Sequence, residues 1–237
     1  MVLDKPVLAI ETATLFCSVA LRMPDGAVFE ERAEGKGVHS ELTFVFIRQL
    51  LDRKKLLVPD LGMVIISAGP GSYTGLRVAS SAVKGLLFSS NIPLLSCTTM
   101  ASIAVGARCN ISGEKSSAVR GCDTVIDARR NHLYHQSWSW VADGLVPDSE
   151  IQLLELGEVL DRWLQGRLIV GTGLERLTEM AKLQGADPGD LITMPPSNVI
   201  SAVNLLKADE LISKQKKEFL LKKVAPEQFE PYYYSHL

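Results

Sequence analysis

The pattern of apolar and polar positions divides the first part of the chain into short strands and longer helices. Apolar runs bounded by turn residues predict strands at 7–13, 16–22, 27–33, 63–68 and 94–96. Apolar residues three and four positions apart predict helices at 41–54, from Ser72 or Thr74 to about Ser90, and at 99–107. Ser40 is the expected N-cap of the first helix.

The second part of the chain begins after a polar stretch and repeats this alternation. Residues 110–121, rich in serine, glycine and charge, are predicted to be a linker between an N-terminal lobe at 1–109 and a C-terminal lobe at 122–237. Strands are predicted at 124–126, 133–141 and 168–170, and helices at 157–164, 174–183 and 199–211. Strands followed by alternating helices, in two units, predict two α/β lobes.

Two segments near the C-terminus have distinct compositions. Residues 214–223 carry five lysines and one glutamate, which is typical of a solvated helix face. Residues 229–234 are aromatic and are predicted to pack back onto a lobe as an apolar anchor.

Composition narrows the class of protein. The 237 residues are 46% hydrophobic and carry a net charge of −2, which indicates a globular protein and does not favour direct nucleic-acid binding. The four cysteines lack Cys-x-x-Cys spacing and are expected to be reduced thiols. The sequence shows neither a signal-peptide pattern nor an apolar run of membrane-spanning length, so we expect a cytoplasmic protein with no membrane association.

A glycine-rich turn follows the strand predicted at 63–68. Gly69, Gly71 and Gly75 surround a helix start, where backbone N–H groups meet the positive end of a helix dipole. This arrangement suits an anion or a close backbone contact, or the glycines simply permit a tight turn. The turn is not a phosphate-binding P-loop, because no Gly-Lys-Ser/Thr follows it.

The nine residues Gly-Pro-Gly-Ser-Tyr-Thr-Gly-Leu-Arg at 69–77 resemble the signature of the bacterial TsaB (YeaZ-type) family. Other segments resemble this family in the expected order, namely 7–14 with 17–21, 39–42, and 126–130 with 133–134. The family takes part in making threonylcarbamoyladenosine (t6A) on tRNA.

The resemblance implies an actin-like ATPase (ASKHA, ribonuclease H-like) fold of two tandem α/β lobes, the second degenerate. It also implies a pseudo-enzyme subunit, required for threonylcarbamoylation of adenosine 37, that binds and activates a TsaD-type transferase together with a TsaE-type ATPase. The family forms homodimers when alone, and tRNA is expected to be bound only through the complex.

Actin-like ATPases place an acidic residue and glycine turns around nucleotide phosphates. Glu11 and Thr12 follow the first strand at the corresponding place, and Gly171 and Gly173 could form a second phosphate turn. The first turn has no glycine, so we expect at most weak or vestigial ATP or ADP binding and no required cofactor.

Catalytic groups are not predicted. None of the four histidines is four positions from another, and His132 and His135 lie on opposite faces of a predicted strand, so we expect no metal site. Ser72 lacks the nucleophile-elbow pattern. The rival function is a working enzyme, either an ATP-dependent transferase or kinase or an M22 glycoprotease-like metalloenzyme.

The two helices at 41–54 and after Ser72 each show an apolar face beyond the one needed for a core. Helical-wheel positions place Leu76, Ala79, Ala82, Val83, Leu86 and Leu87, and likewise Phe44, Phe46, Ile47, Leu50 and Leu51, towards the interior. The opposite faces, poor in charge and small at their centre, are predicted to bind a partner helix unless a neighbouring loop covers them. The predicted interface comprises Leu42, Val45, Gln49, Thr74, Arg77, Val78, Ser81, Lys84, Gly85 and Phe88.

Overall fold

The computed structural model describes residues 4–111, 119–164, 166–186 and 193–233. The first sheet has the strand order β12-β5-β4-β1-β2-β3. Its strands are β1 (Val7–Glu11), β2 (Phe16–Arg22), β3 (Val28–Glu34), β4 (Met63–Ser67), β5 (Leu94–Cys97) and β12 (Leu221–Val224). Strands β1, β4 and β5 run parallel, while β2, β3 and β12 pair antiparallel to their neighbours.

Helices cover both faces of the first sheet. They are α1 (Val38–Arg53), α2 (Tyr73–Leu86) and α3 (Thr99–Asn110), with a short 3₁₀ helix at Val58–Asp60. Because side chains alternate along a strand, Leu8 and Ile10 of β1 pack with α1 and α2 on one face, and Val7 and Ala9 pack with α3 on the other. The parallel strands are therefore buried on both sides, as their continuous apolar runs predict.

The second sheet repeats this plan, with the strand order β11-β10-β6-β7-β8 and β9 also paired to β7. Its strands are β6 (Gly121–Asp127), β7 (His132–Val141), β8 (Gly144–Pro147), β9 (Gln152–Glu155), β10 (Ile169–Val170) and β11 (Thr193–Met194). Helices α4 (Leu156–Leu164) and α5 (Leu174–Leu183) share a buried cluster with β6 and β7. Each sheet thus combines three consecutive antiparallel strands with two added parallel strands, which confirms the predicted tandem α/β class.

The remaining helices connect the two lobes. They are α6 (Pro196–Val199), α7 (Ala202–Leu211) and α8 (Lys214–Leu220), followed by a 3₁₀ helix at Pro226–Gln228. Helices α3 and α7 belong to one buried cluster that also contains Ala9 of the first sheet and Trp138 of the second. Strand β12 then returns to the first sheet, so residues after 122 contribute to both lobes. Residues 112–118 of the predicted linker lie outside the described residues, and the domain boundaries stay a prediction.

The helix starts show which sequence signals were correct. Of the two predicted starts of α2, Ser72 is the N-cap, because its Oγ accepts a hydrogen bond from the Gly75 N–H at 3.2 Å. The predicted Ser40 cap of α1 is wrong: the helix starts earlier, after Gly37, whose φ of 81° is left-handed and suits glycine. Helix α2 ends at Leu86, before the predicted Ser90.

The C-terminal predictions have mixed outcomes. The lysine-rich run at 214–223 is not a single helix face, because its last residues belong to β12, where Leu221 is buried opposite Cys97. The predicted apolar anchor is confirmed, since Phe229 is 2% exposed and packs with the core of the first lobe.

Candidate functional site

The glycine-rich turn between β4 and α2 packs directly against the loop that joins β1 and β2. A Cβ atom at Gly71 would lie 2.0 Å from the Ala13 carbonyl oxygen, and one at Gly75 would lie 2.0 Å from the Thr12 carbonyl oxygen. The Ser72 N–H donates a hydrogen bond to the Ala13 carbonyl at 2.6 Å. The glycines therefore serve the close backbone contact, one of the alternatives left open by the sequence.

Glu11 and Thr12 lie at this contact and are both buried. Oε1 of Glu11 accepts hydrogen bonds from the Ala13 N–H and the Ser67 hydroxyl, each at 2.8 Å. The Thr12 hydroxyl donates to the Gly75 carbonyl at 2.9 Å. Burial raises the pKa of Glu11, against the opposing effect of these hydrogen bonds. Thr12 thus joins the β1–β2 loop to the start of α2, while Glu11 joins this loop to the end of β4.

The second predicted phosphate turn is also in close internal contact. A Cβ at Gly171, whose φ is 120°, would lie 2.1 Å from the Val125 carbonyl oxygen, and one at Gly173 would lie 2.7 Å from a methyl group of Leu133. The turn between β10 and α5 therefore packs onto β6 and β7. Neighbouring protein atoms leave no room for a Cβ at either glycine.

A cleft of about 630 Å³ lies beside this turn, and Thr172 is one of its lining residues. Glu34, Glu175 and Glu179 also line it, against one lysine, Lys182. None of the four residues predicted for nucleotide binding lines this cleft in the described part of the chain. Carboxylates repel phosphate groups, so the three glutamates make this cleft unfavourable for a polyphosphate.

The histidines occupy separate environments. Within residues 4–111, 119–164, 166–186 and 193–233, no group of three or more His, Cys, Asp or Glu side chains is placed to hold a metal ion. His135 is fully buried, with Nε2 at 3.3 Å from Asp123 Oδ2. Burial acts to raise the pKa of Asp123, but His135 and Arg167, at 2.7 Å, outweigh it and lower this pKa to about 2. This cluster connects β6, β7 and the segment before β10 inside the second lobe.

The predicted interface residues of α1 and α2 are all exposed or half-buried, and we call this set the α1–α2 surface. Val45, Gln49, Thr74, Arg77, Ser81, Gly85 and Phe88 are exposed, and Leu42, Val78 and Lys84 are half-buried. Phe88, just beyond the end of α2, is 83% exposed. Large exposed apolar side chains clustered on one face are typical of protein interfaces.

Two aromatic residues that sequence reasoning did not assign to this surface also belong to it. Phe44 of α1 is 52% exposed and Tyr73 at the start of α2 is 55% exposed. Together they help to line a groove of about 470 Å³ between the helices; its other lining residues are Ser40, Thr74, Arg77, Val78 and Ser81. The guanidinium of Arg77 lies 4.5 Å from the centre of the Tyr73 ring. Aromatic residues with an arginine around a groove are the composition found at the energetic centres of interfaces.

Comparison with known proteins places this geometry in a family. The family model described as TsaD, tRNA N6-adenosine threonylcarbamoyltransferase, matches residues 33–154, just over half of the chain. The Bacillus subtilis protein TsaB, named for tRNA threonylcarbamoyladenosine biosynthesis, is 28% identical over 65% of this chain and 65% of its own length. Its Escherichia coli namesake is 27% identical over 76% of each chain. The chain belongs to the TsaB (YeaZ-type) branch of this family.

Other members agree over a larger share of the chain. The TsaB protein of Buchnera aphidicola from Baizongia pistaciae is 24% identical over 92% of this chain and 95% of its own length. The solved structure of YeaZ from Pseudomonas aeruginosa, 22% identical, superposes with a TM-score of 0.73 and covers 97% of this chain and 99% of the other. The TsaB-family fold is therefore the predicted actin-like ATPase fold with two α/β lobes.

The burial pattern of this TsaB-family chain also corrects two predictions about helix faces. Phe44 does not point inward, because Thr43 takes the buried position and its hydroxyl donates to the His39 carbonyl at 2.7 Å. Leu86, predicted to be core, is only half-buried. A wheel centred on the buried residues Ile47 and Leu50 would have placed Phe44 outside.

One further property concerns membranes. In the described ranges, every helix is too short or too polar to cross a lipid bilayer.

Proposed function

We propose that this protein is the non-catalytic partner subunit of the machinery that makes threonylcarbamoyladenosine at adenosine 37 of tRNA. It binds and activates a TsaD-type transferase through the α1–α2 surface, and a TsaE-type ATPase binds the pair. Without the transferase, the same surface pairs with a second copy of the chain, and tRNA is bound only in the complex. The pathway is taken from the names of the TsaB relatives.

The main observation that supports the proposal is Gly85 in helix α2. Glycine inside a helix costs about 0.5–1 kcal/mol relative to alanine, and Gly85 lies in the last turn of α2. A Cβ at Gly85 would meet nothing within 4 Å, so no described neighbour requires its absence. At Gly75, by contrast, the Thr12 carbonyl would clash with a Cβ. The missing side chain at Gly85 is explained by a helix from another chain that packs closely against α2.

The surroundings of Gly85 support the same role. Ser81, one turn earlier, is exposed and small, and the exposed rings of Phe44, Tyr73 and Phe88 lie on the same surface. Small residues in the middle allow a close helix approach, and aromatic residues at the edges supply large apolar contacts.

Glu11 and the two glycine turns make contacts within the protein, and these contacts support the proposal that the subunit is not catalytic. The Glu11 carboxylate accepts bonds from its own fold, and the glycines of both turns face protein atoms. The groups that the fold family uses around phosphates are therefore committed to the contacts between loop, strand and helix.

The decisive experiment reconstitutes tRNA modification with the TsaD and TsaE homologues of the same organism. We expect the wild-type protein to co-elute with the transferase and to be required for t6A formation, measured by mass spectrometry of digested tRNA. Ser81→Arg should abolish both co-elution and modification, while Ser81→Ala, which keeps the residue small, should retain them. Full t6A formation without this protein, or with Ser81→Arg, would contradict the proposal.

A further inference from the structure

The described C-terminal residues 229–233, which we call the C-terminal segment, pack along α2 beside the α1–α2 surface. Phe229 is buried in the core of the first lobe, and its carbonyl accepts a bond from the Ser80 hydroxyl at 3.4 Å. The Tyr232 N–H donates to the Ala68 carbonyl at 2.7 Å. A Cβ at Gly69 would lie 2.7 Å from the Tyr232 carbonyl oxygen, so the first glycine of the turn makes room for this segment.

Two side chains of the C-terminal segment reach the α1–α2 surface. Glu230 accepts a charged hydrogen bond from Lys84 of α2 at 2.8 Å. The ring of Tyr233 lies 5.1 Å from the ring of Tyr73, at an interplanar angle of 46°. The Arg77 guanidinium lies over the same Tyr73 ring, so Tyr233, Tyr73 and Arg77 form one connected series. The C-terminal segment therefore holds one wall of the groove.

The contacts of the C-terminal segment also determine which charged side chains of the α1–α2 surface are neutralised. Lys84, and more weakly Arg77, lower the pKa of Glu230, which keeps this carboxylate ionised beside α2. The ion pair with Glu230 compensates Lys84, whereas Arg77 has a ring contact and no bonded carboxylate among the described residues. The groove thus offers an arginine for an acidic group that comes from another molecule.

We propose that the C-terminal segment is part of the partner-binding surface and that Tyr233 is a positioning residue, which holds Tyr73 and Arg77 for the partner. The occupant is the TsaD-type transferase, so the inference rests on the proposed function. The partner places a large apolar side chain in the groove and a carboxylate on Arg77. Arg77, which has no bonded carboxylate among the described residues, and the arginine–aromatic composition of the groove support this pairing.

The experiment measures the affinity of full-length variants for the transferase by calorimetry. Tyr233→Ala should weaken binding about five-fold, the range expected for loss of one aromatic pair. The same change should have no further effect in a Tyr73→Ala background, because Tyr233 acts through Tyr73. Tyr233→Phe, which keeps the ring, should bind as the wild type does. Thermal melting of each variant should match the wild type, because Tyr233 is partly exposed.

The controls separate this inference from the proposed function. Leu183→Ala removes an exposed apolar side chain of the second lobe and should leave affinity unchanged. If the wild type binds and Ser81→Arg does not, but Tyr233→Ala binds as Leu183→Ala does, only the inference fails. If the wild type itself does not bind, the proposed function fails. Additive losses in the Tyr73→Ala background would overturn the positioning role.

A second measurement tests the carboxylate on Arg77. The wild-type affinity should fall as salt concentration rises, and Arg77→Gln should remove most of this dependence. A salt dependence unchanged by Arg77→Gln would overturn the charge assignment.

Discussion

Glu11 is a carboxyl group that the protein buries completely at the junction of a strand, a loop and a helix. One of its oxygens has two hydrogen-bond donors, while burial disfavours the charged form and raises its pKa. A raised pKa means that the folded state holds the proton more tightly than the unfolded chain does. The favourable contribution of Glu11 is therefore complete below pH 4.5 and is lost as pH rises through the folded-state pKa.

Glu11→Gln tests this behaviour. The amide oxygen still accepts the bonds from Ala13 and Ser67, but the side chain no longer ionises. We expect the variant to gain stability relative to the wild type as pH rises above 4.5, measured by denaturant unfolding at pH 5 and pH 8. A wild-type advantage that grows with pH would contradict the assignment.

The pKa of Asp123 shifts in the opposite direction to that of Glu11. Its pKa falls to about 2 in the fold, so its contribution to stability is present above pH 3.8 and is lost as pH falls towards 2. Asp123→Asn, which leaves Arg167 and buried His135 without their carboxylate, should destabilise the protein at pH 7 by about 3 kcal/mol.

The matched control for Asp123 is Asp127→Asn. Asp127 pairs with Arg176 at 2.6 Å, but both side chains are partly exposed, so its loss should cost less than about 1 kcal/mol. Equal losses in the two variants, compared by urea unfolding at pH 7, would mean that the buried cluster stabilises the fold no more than a partly exposed ion pair does.

At this scale, sequence reasoning identified residue types better than it identified orientations. The Ser72 cap follows from local chemistry, since a serine before a helical pattern bonds to its own first turn. Phe44, predicted to face the core, is exposed, and its neighbour Thr43 is buried instead with its hydroxyl bonded to the His39 carbonyl one turn earlier. Only the neighbouring strands decide which of two adjacent residues faces the core.

At the scale of elements, helix α2 has one face that is buried in the core and another that is exposed. Ser81→Arg and Gly85→Arg should weaken association with the partner or a second copy by more than about 100-fold, because an unpaired cation would be buried between helices. The monomer should keep its melting temperature within about 2 °C, since nothing contacts a Cβ at Gly85. Solution mass measurements and thermal melts check both statements.

The control for these variants is Val83→Arg. Val83 is fully buried in the core of the first lobe, so this variant should not fold. Leu86, which the wheel places inside, is half-buried and a weaker control. If Ser81→Arg and Gly85→Arg unfold the protein while Val83→Arg remains folded, the core face and the partner-binding face of α2 have been assigned the wrong way round.

The order of elements was predictable where the apolar period was regular. The strand at Met63–Ser67 and the helix at Leu174–Leu183 match their predicted positions closely, because both have strong local patterns. Strand β12 was not predictable, since Leu221–Val224 contains two exposed lysines and continues a helical charge run. Its strand geometry comes from pairing with the distant strand β5.

At the scale of the whole molecule, the two lobes keep the actin-like fold, and both of the glycine turns that were predicted to bind phosphate pack against protein atoms. We expect titration of Mg–ATP to give no saturable heat, which corresponds to a Kd weaker than about 1 mM. The physical reasons are the carbonyl oxygens facing Gly71, Gly75 and Gly171 and the glutamates of the cleft. Micromolar ATP binding by the isolated protein would favour the rival enzyme function.

The pairing of β12 with β5 has a consequence for synthesis on the ribosome. Strands β1 to β5 leave the exit tunnel long before Leu221–Val224, so the β5 edge remains open to wrong pairing until the last strand arrives. The strands of the second sheet all lie between Gly121 and Met194 in the described chain, so that sheet can close earlier. The lobe that is translated first is therefore the one completed last.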